Sequence, residues 1–285
     1  DAATGAAVRA ATGAGVRAAA SPDGTRIATS DDSGRIAVYG ASDTPVEIGR
    51  LTRPTMTVRW SPDGRWLAAI DESGGAGVWR TDDWTRVRDL PPREPNRAGG
   101  TDVVFAPDGR RVLFARYGAA ALLALDGGAD IAMAATEERL IWAVAYSPDG
   151  RLVATSNDAG EVAVWATATG DAVLRLPLGA MVLQVQFTAD SRRVITGAFD
   201  HQVTVWDVAT GLPLASHQVP DEIYWLTASP DGASVAIATL GAAMRWTPPP
   251  PVDAAAVRTA SRCRAGHGLR ELNVVPEPTL PPGCP

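Results

Sequence analysis

The chain contains no lysine; all 26 of its basic residues are arginine. That absence removes the phosphate-loop NTPases, the protein kinases and Schiff-base chemistry, each of which needs an ammonium group on a flexible stem. Cysteine is nearly missing too. Cys263 and Cys284 both lie close to the C-terminus, so the body of the chain has no disulfide framework, and the pair neither requires nor excludes an oxidising compartment. Together with His267 they match no common zinc spacing. The other histidines, His201 and His217, fall in a turn and an outer strand, where no nucleophile and acid converge on them. No apolar run reaches the ~18 residues a spanning helix needs, and the N-terminus lacks the pattern of a secretory signal. The net charge of −6 is the wrong sign for a generic nucleic-acid binder. These absences predict a cytoplasmic protein that is not an enzyme, with no catalytic residue, cofactor or metal and with no nucleic-acid or membrane partner.

What is present is repetition. Ile141–Gly170 shows the unit most cleanly. Ile141–Tyr146 is a β-branched and aromatic run that suits a buried strand. Ser147-Pro148-Asp149-Gly150 ends it with a proline that presets φ, an aspartate that bonds to local backbone and a glycine that can turn left-handed. Leu152–Thr155 follows as a second strand. Asn157-Asp158-Ala159-Gly160 then breaks the chain before a third, Val162–Trp165, and Thr169-Gly170 before a fourth, Ala172–Leu176.

The same hairpin recurs at residues 21–24, 61–64, 106–109 and 229–232, with a degenerate copy at 188–191. Its aspartates are 40, 45, 41, 41 and 41 residues apart. An aromatic stands sixteen residues after the aspartate at Tyr39, Trp79, Trp165 and Trp206, and one residue earlier at Trp246. A ~40–45-residue period with four strands per unit predicts an all-β chain of four-stranded antiparallel propeller blades. Hydrophobic content of 46% is ample for the cores between them. The third unit is the least regular, with Ala119–Asp126 in place of the usual third strand. Residues 1–247 form the repeat array; Pro248–Pro251 stops it and opens a tail, 248–285, that includes a plausible short helix at Ala254–Ala260 and a strand at Leu269–Val275.

Val203-Thr-Val-Trp206-Asp207-Val-Ala-Thr-Gly211, and less closely Val162–Gly170, resemble the third strand and following turn of the WD-repeat β-propeller family. The resemblance covers residues 1 to about 246. It departs from the family pattern in having no Gly-His before any first strand and a Trp-Asp pair only at Trp206-Asp207, so the family's histidine–aspartate network is incomplete even where Asp158 and Asp200 hold the turn. The blades are therefore expected to be held mainly by packing. Asp1-Ala-Ala-Thr-Gly5 matches Asp207-Val-Ala-Thr-Gly211, which predicts that the chain starts inside a repeat and comes from a longer protein with an upstream domain. Ala6–Ala11 then serves as an outer strand. Six repeats are visible, either as a six-bladed ring closed by that strand or as part of a seven-bladed one.

The resemblance implies a non-catalytic scaffold or sensor for protein–protein interaction, similar to the repeat arrays that bacterial signalling proteins attach to kinase or NTPase domains. Its alternatives are an enzyme-type propeller of the lactonase or hydrolase kind with a funnel site, and a structural oligomerisation module. Two residue sets could make contact with a protein or peptide. On the top face, where the loops before first strands and between second and third strands gather, stand Asp31, Asp32, Asp71, Glu72, Glu137, Glu138, Asp158, Asp200, Asp221 and Glu222. Glu137, Glu138, Asp221 and Glu222 are the proposed attraction for a basic partner, and the plainer reading is a set of solvated or self-capping turn residues. The second set is Met56, Trp142, Leu183 and Tyr224, each second in its first strand near the funnel mouth, where large apolar groups suit an interface. For them the plainer reading is packing between blades. Trp79, Trp165, Trp206 and Trp246 are structural in either case.

Overall fold

The computed structural model describes residues 17–40, 44–91, 100–133, 139–229 and 231–249. The chain divides into two compact units, Asp1–Thr247 and Pro248–Pro285. Ala6–Ala11, Glu137, Glu138 and the tail beyond residue 249 lie outside the described residues.

The first unit is a succession of strands. Blade one comprises β1 (Arg17–Ala20), β2 (Ile27–Ser30), β3 (Arg35–Tyr39) and β4 (Val46–Arg50). Blade two comprises β5 (Thr55–Trp60), β6 (Trp66–Asp71), β7 (Ala76–Arg80) and β8 (Arg86–Leu90), and blade three β9 (Gly100–Phe105), β10 (Arg111–Arg116), β11 (Ala119–Ala124) and β12 (Ile131–Met133). Blade four comprises β13 (Ile141–Tyr146), β14 (Leu152–Asn157), β15 (Glu161–Ala166) and β16 (Ala172–Pro177). Blade five has β17 (Val182–Phe187), β18 (Arg193–Ala198), β19 (Gln202–Asp207) and β20 (Pro213–Gln218); blade six has β21 (Ile223–Ala228), β22 (Val235–Thr239) and β23 (Ala243–Trp246). Every blade is an antiparallel meander in chain order, and among the described residues blade six has three strands. The irregular third unit still forms its third strand: Ala119–Ala124 pairs with β10 on one side and β12 on the other.

The recurring hairpin joins first to second strand on what we call the underside. Ser147 Oγ donates to Asp149 Oδ1 at 2.6 Å and accepts the Leu152 N–H at 2.9 Å, while Asp149 Oδ1 accepts the Arg151 N–H at 3.0 Å. Ser61–Asp63 and Thr188–Asp190 make the same set, and Ser21–Asp23 and Ser229–Asp231 repeat it. The serine therefore belongs to the motif as firmly as Pro-Asp-Gly does, because one hydroxyl ties both ends of the loop. The charge-assisted bonds lower the carboxyl pKa. Asp23 sits at about 2, chiefly through the Ser21 hydroxyl. At Asp63 and Asp149 burial pulls upward, but the bonds from Ser61 and Ser147 and the following N–H outweigh it.

Cores lie between successive blades. Side chains alternate to opposite faces of each sheet, so one face of a blade packs on its predecessor and the other on its successor. Ala28, Ile36 and Val38 of blade one meet Val58, Leu67 and Trp79 of blade two. Leu113 and Leu122 meet Val144, Val153 and Trp165. Comparable cores join blades two and three, four and five, and five and six. That makes five inter-blade cores among the described residues.

The first strands carry a shared irregularity. Thr55 pairs with Asp71 and Thr57 with Ile70, which leaves Met56 as the extra residue of a β-bulge. Trp142, Leu183 and Tyr224 are the extra residues of the corresponding bulges in blades four, five and six. Thr101 holds that register position in blade three. A bulge resets the alternation of the strand and re-aims one side chain without ending the ladder.

Candidate functional site

The bulges decide where the second apolar set goes. Unbroken alternation would put Trp142 on the face of Val144 and Tyr146, against blade three. With the register shifted beneath it, Trp142 is instead 40% exposed, while Val144 is buried in the core and Tyr146 packs against it. Tyr224 is 55% exposed and Met56 37%, whereas Leu183 is half-buried. Trp225, which the sequence reading did not single out, is exposed beside Tyr224.

First strands β5, β9, β13, β17 and β21 together line a cavity of about 350 Å³. Trp142 and Trp225 border it, and its polar groups are Arg59, Asp102, Gln184 and Gln186. Arg59 and Asp102 form an ion pair at 3.5 Å across blades two and three. Burial pushes the Asp102 carboxyl up, opposed by Arg59 and by the Val103 N–H. Gln186 Oε1 accepts the Ala228 N–H at 3.3 Å, and Gln184 Nε2 donates to Tyr224 O at 3.3 Å, so both amides bind blade five to blade six. Tyr146 also reaches this cavity, and its hydroxyl has no hydrogen-bond partner among the described residues. Asp102 is the one acid inside a described first strand, and that was the signal available in the sequence.

The acidic set separates into two kinds. Asp71 is fully buried; its Oδ1 accepts the N–H groups of Ser73 and Gly75 and its Oδ2 the Thr52 hydroxyl at 3.2 Å. Asp31 binds Ser33 and Arg35 in the same way. These two are structural ties, as the plainer reading had it. In blade four the tie is Asn157, whose Oδ1 accepts from Ala159 and Glu161 at 3.0 Å, and not the exposed Asp158 one residue later. Blade five puts Ala198 at that position. Asp200 stands two residues on and caps the Gln202 N–H at 3.1 Å, with His201 at φ 65° where Gly34, Gly74 and Gly160 stand in other blades. The expectation that Asp158 and Asp200 hold one equivalent turn position is therefore corrected. Both differ in register from the residue that does. Asp221 and Glu222 are half-buried before β21, where Asp221 Oδ1 accepts the Glu222 N–H at 2.9 Å.

Trp79 and Trp165 are fully buried, and Trp206 and Trp246 partly so. Trp246 stacks on His217 at 5.4 Å.

The family model for the WD domain, G-beta repeat, matches residues 134–166 and 174–207. Two of its repeats match that family, and its fold is a β-propeller of the WD40 kind. Its fold is similar to the C-terminal WD40 domain of Sif2, with a TM-score of 0.69 and 16% identity over 84% of this chain and 69% of that one. It is also similar to the β-propeller domain of Cps50 (Swd1) from Myceliophteria thermophila, with a TM-score of 0.64 and 14% identity over 84% and 85% of the two chains. No curated protein matches the propeller by sequence. WD40 propellers typically mediate protein–protein interaction and are generally non-catalytic scaffolds. Among the described residues of this propeller no helix is long and apolar enough to cross a membrane, and no three His, Cys, Asp or Glu side chains gather as metal ligands.

The top of the propeller is uneven. Arg17 Nε donates to Met56 O at 3.1 Å, and Arg50 and Arg116 donate to backbone at Ser33 and Pro91, so arginines brace the top of blades one to three. The top segments of blades five and six, residues 177–185, 197–203, 218–226 and 239–243, contain no arginine. There the surface shows Phe199, Tyr224, Trp225 and Leu240 beside Asp200, Asp221 and Glu222.

Proposed function

We propose that the propeller is a non-catalytic binding platform whose top face at blades four to six docks a protein segment carrying apolar and basic residues. The observation that carries this reading is the bulge series. One backbone position presents Trp142, Leu183 and Tyr224 in turn, with Trp225 next to the last, and large aromatic groups at such a mouth bury much area for little entropic cost. Asp221 and Glu222 supply negative charge where the top segments of blades five and six have no arginine, which favours a basic partner, and Glu137 and Glu138, followed by Arg139 in sequence, complete the acidic set. Met56 is the outlying member of the contact set, in the arginine-braced half. A rigid array fixes these groups in space, so binding costs little ordering entropy. A cytoplasmic signalling role in a bacterium is the setting we infer from the arginine-only, alanine-rich composition.

Panning the immobilised propeller against a random dodecapeptide library tests the reading. Enriched peptides should pair an aromatic or aliphatic residue with arginine or lysine. Their binding should weaken with salt and drop at least about ten-fold in Trp142→Ala and Tyr224→Ala, with melting temperature little changed. Acidic consensus peptides, or binding indifferent to both variants, would sink it.

A further inference from the structure

Four blades carry a tryptophan at one third-strand register position, Trp79, Trp165, Trp206 and Trp246; the first two are covered by an arginine and the last stacks on His217. In blade two the Arg86 guanidinium lies 5.2 Å from the Trp79 ring centre and bonds Asp89. In blade four Arg175 lies 5.1 Å from the Trp165 ring centre and pairs with Glu161. Both tryptophans are at most 2% exposed. Blade five keeps the tryptophan and loses its cover. By register Ser216 of β20 occupies the place of Arg175, since Thr204 pairs with Ser216 as Ala163 pairs with Arg175. Gln202 likewise stands for Glu161.

Among the described residues no cation lies over Trp206, which is partly exposed. A cavity of about 280 Å³ occupies that place, lined by Trp206, Thr204, Ser216, Gln202, Asp200 and, from blade four, Leu178. The ring is already fixed: its Nε1–H donates to Thr196 Oγ1 at 2.9 Å, as that of Trp165 does to Thr155 Oγ1 at 2.9 Å. Hydroxyls of Thr204 and Ser216 bond each other at 3.1 Å and keep further accepting capacity. Asp200 Oδ1 takes the Gln202 N–H, which leaves the other carboxylate oxygen at the rim.

We propose that this lateral pocket receives an arginine side chain from a protein partner, the guanidinium lying over Trp206 with Asp200 as its counter-charge. The molecule covers the corresponding ring with its own guanidinium in blades two and four, from the fourth-strand residue opposite the ring in blade two (Arg86) and from the one opposite Ala163 in blade four (Arg175). A chain without lysine cannot use that precedent to choose between the two cations, so the choice rests on shape. A planar guanidinium stacks on an indole and still donates in its own plane to a carboxylate and to hydroxyls, whereas an ammonium is a compact, strongly hydrated point charge. The pocket lies between the outer parts of blades four and five, and the inference does not depend on the top-face reading.

The test follows the indole N–H signals of the ¹⁵N-labelled protein during titration with capped Gly-Gly-Arg-Gly-Gly, its lysine and citrulline analogues, and free arginine. The Trp206 signal should move with the arginine peptide and respond about ten-fold more weakly to lysine or citrulline. Free arginine should bind no better than the peptide, since its carboxylate faces Asp200. Asp200→Asn should weaken binding about ten-fold. The double variant Ser216→Arg, Gln202→Glu refills the pocket from within and should abolish the shift. Trp142→Ala should leave it unchanged, which separates this site from the top face. An unmoved Trp206 signal, a shift that survives the refilled variant, a shift lost with Trp142→Ala, or preference for free arginine would each overturn the assignment.

Discussion

The underside and the top of the propeller are built on opposite plans. Underside hairpins repeat both backbone and side chains: a hydroxyl and an aspartate make the same three bonds in five blades, and the sixth differs only where Ala106 replaces the hydroxyl. Top bulges repeat the backbone and vary the side chain, giving methionine, tryptophan, leucine and tyrosine at one position. Where chemistry recurs with its bonds, the fold requires it. Where geometry recurs and chemistry does not, the position is free to serve recognition.

The largest effect should come from the residue that crosses this division. Asp71 is on the top but behaves like an underside residue, and Asp71→Ala would orphan two buried N–H groups and a hydroxyl. A loss of about 3 kcal/mol is expected in urea unfolding. Ser147→Ala should cost about 1–2 kcal/mol by the same measurement, and Ala106→Ser, which completes the blade-three hairpin, should return up to about 1 kcal/mol. Equal melting of both variants and wild type would break the comparison from the underside.

Acid titration addresses the hairpins together. Their aspartates have folded pKa values below the ordinary 3.8, so they bind fewer protons folded than unfolded, and their stabilisation is present above that value. It is lost as pH falls through the folded values, from about 4 down to about 2 for Asp23. Urea midpoints should be level above about pH 5 and drop across that window. Asp102, raised by burial, works in the opposite sense as a single group. The smallest effect is expected at Trp142→Ala: under about 1 kcal/mol, against the 3–5 kcal/mol typical of a core tryptophan such as Trp165. A core-sized loss at Trp142 would erase the distinction.

The blades were legible in the sequence because their punctuation is local; four residues with fixed turn chemistry locate each hairpin and hence its flanking strands. Positions that depend on pairing were not. Alternation alone assigns Trp142 to the face of Val144 and Tyr146, and only the ladder between β13 and β14 shows the slip between Ile141 and Ala143. The turn ties fail for a similar reason: Asn157 and Asp158 are equally good turn residues on paper, and their roles follow from which oxygen reaches the Glu161 N–H. Arg59 and Asp102 lie 43 residues apart and become one site only when blades two and three stack. The open pocket at Trp206 is legible only by comparison with blade four, as Ser216 standing for an arginine on the strand paired with that of the ring it would cover.

The five inter-blade cores have a kinetic consequence. Among the described residues a middle blade has two packed neighbours and each terminal blade one, and blade six has one strand fewer than the rest. In an array stabilised by nearest neighbours, opening starts where neighbours are fewest. Amide hydrogens of β14 and β15, buried between blades three and five, should therefore exchange with deuterium later than those of the exposed outer strands β4 and β16. Protection would then grade within a blade, from its packed strands outward.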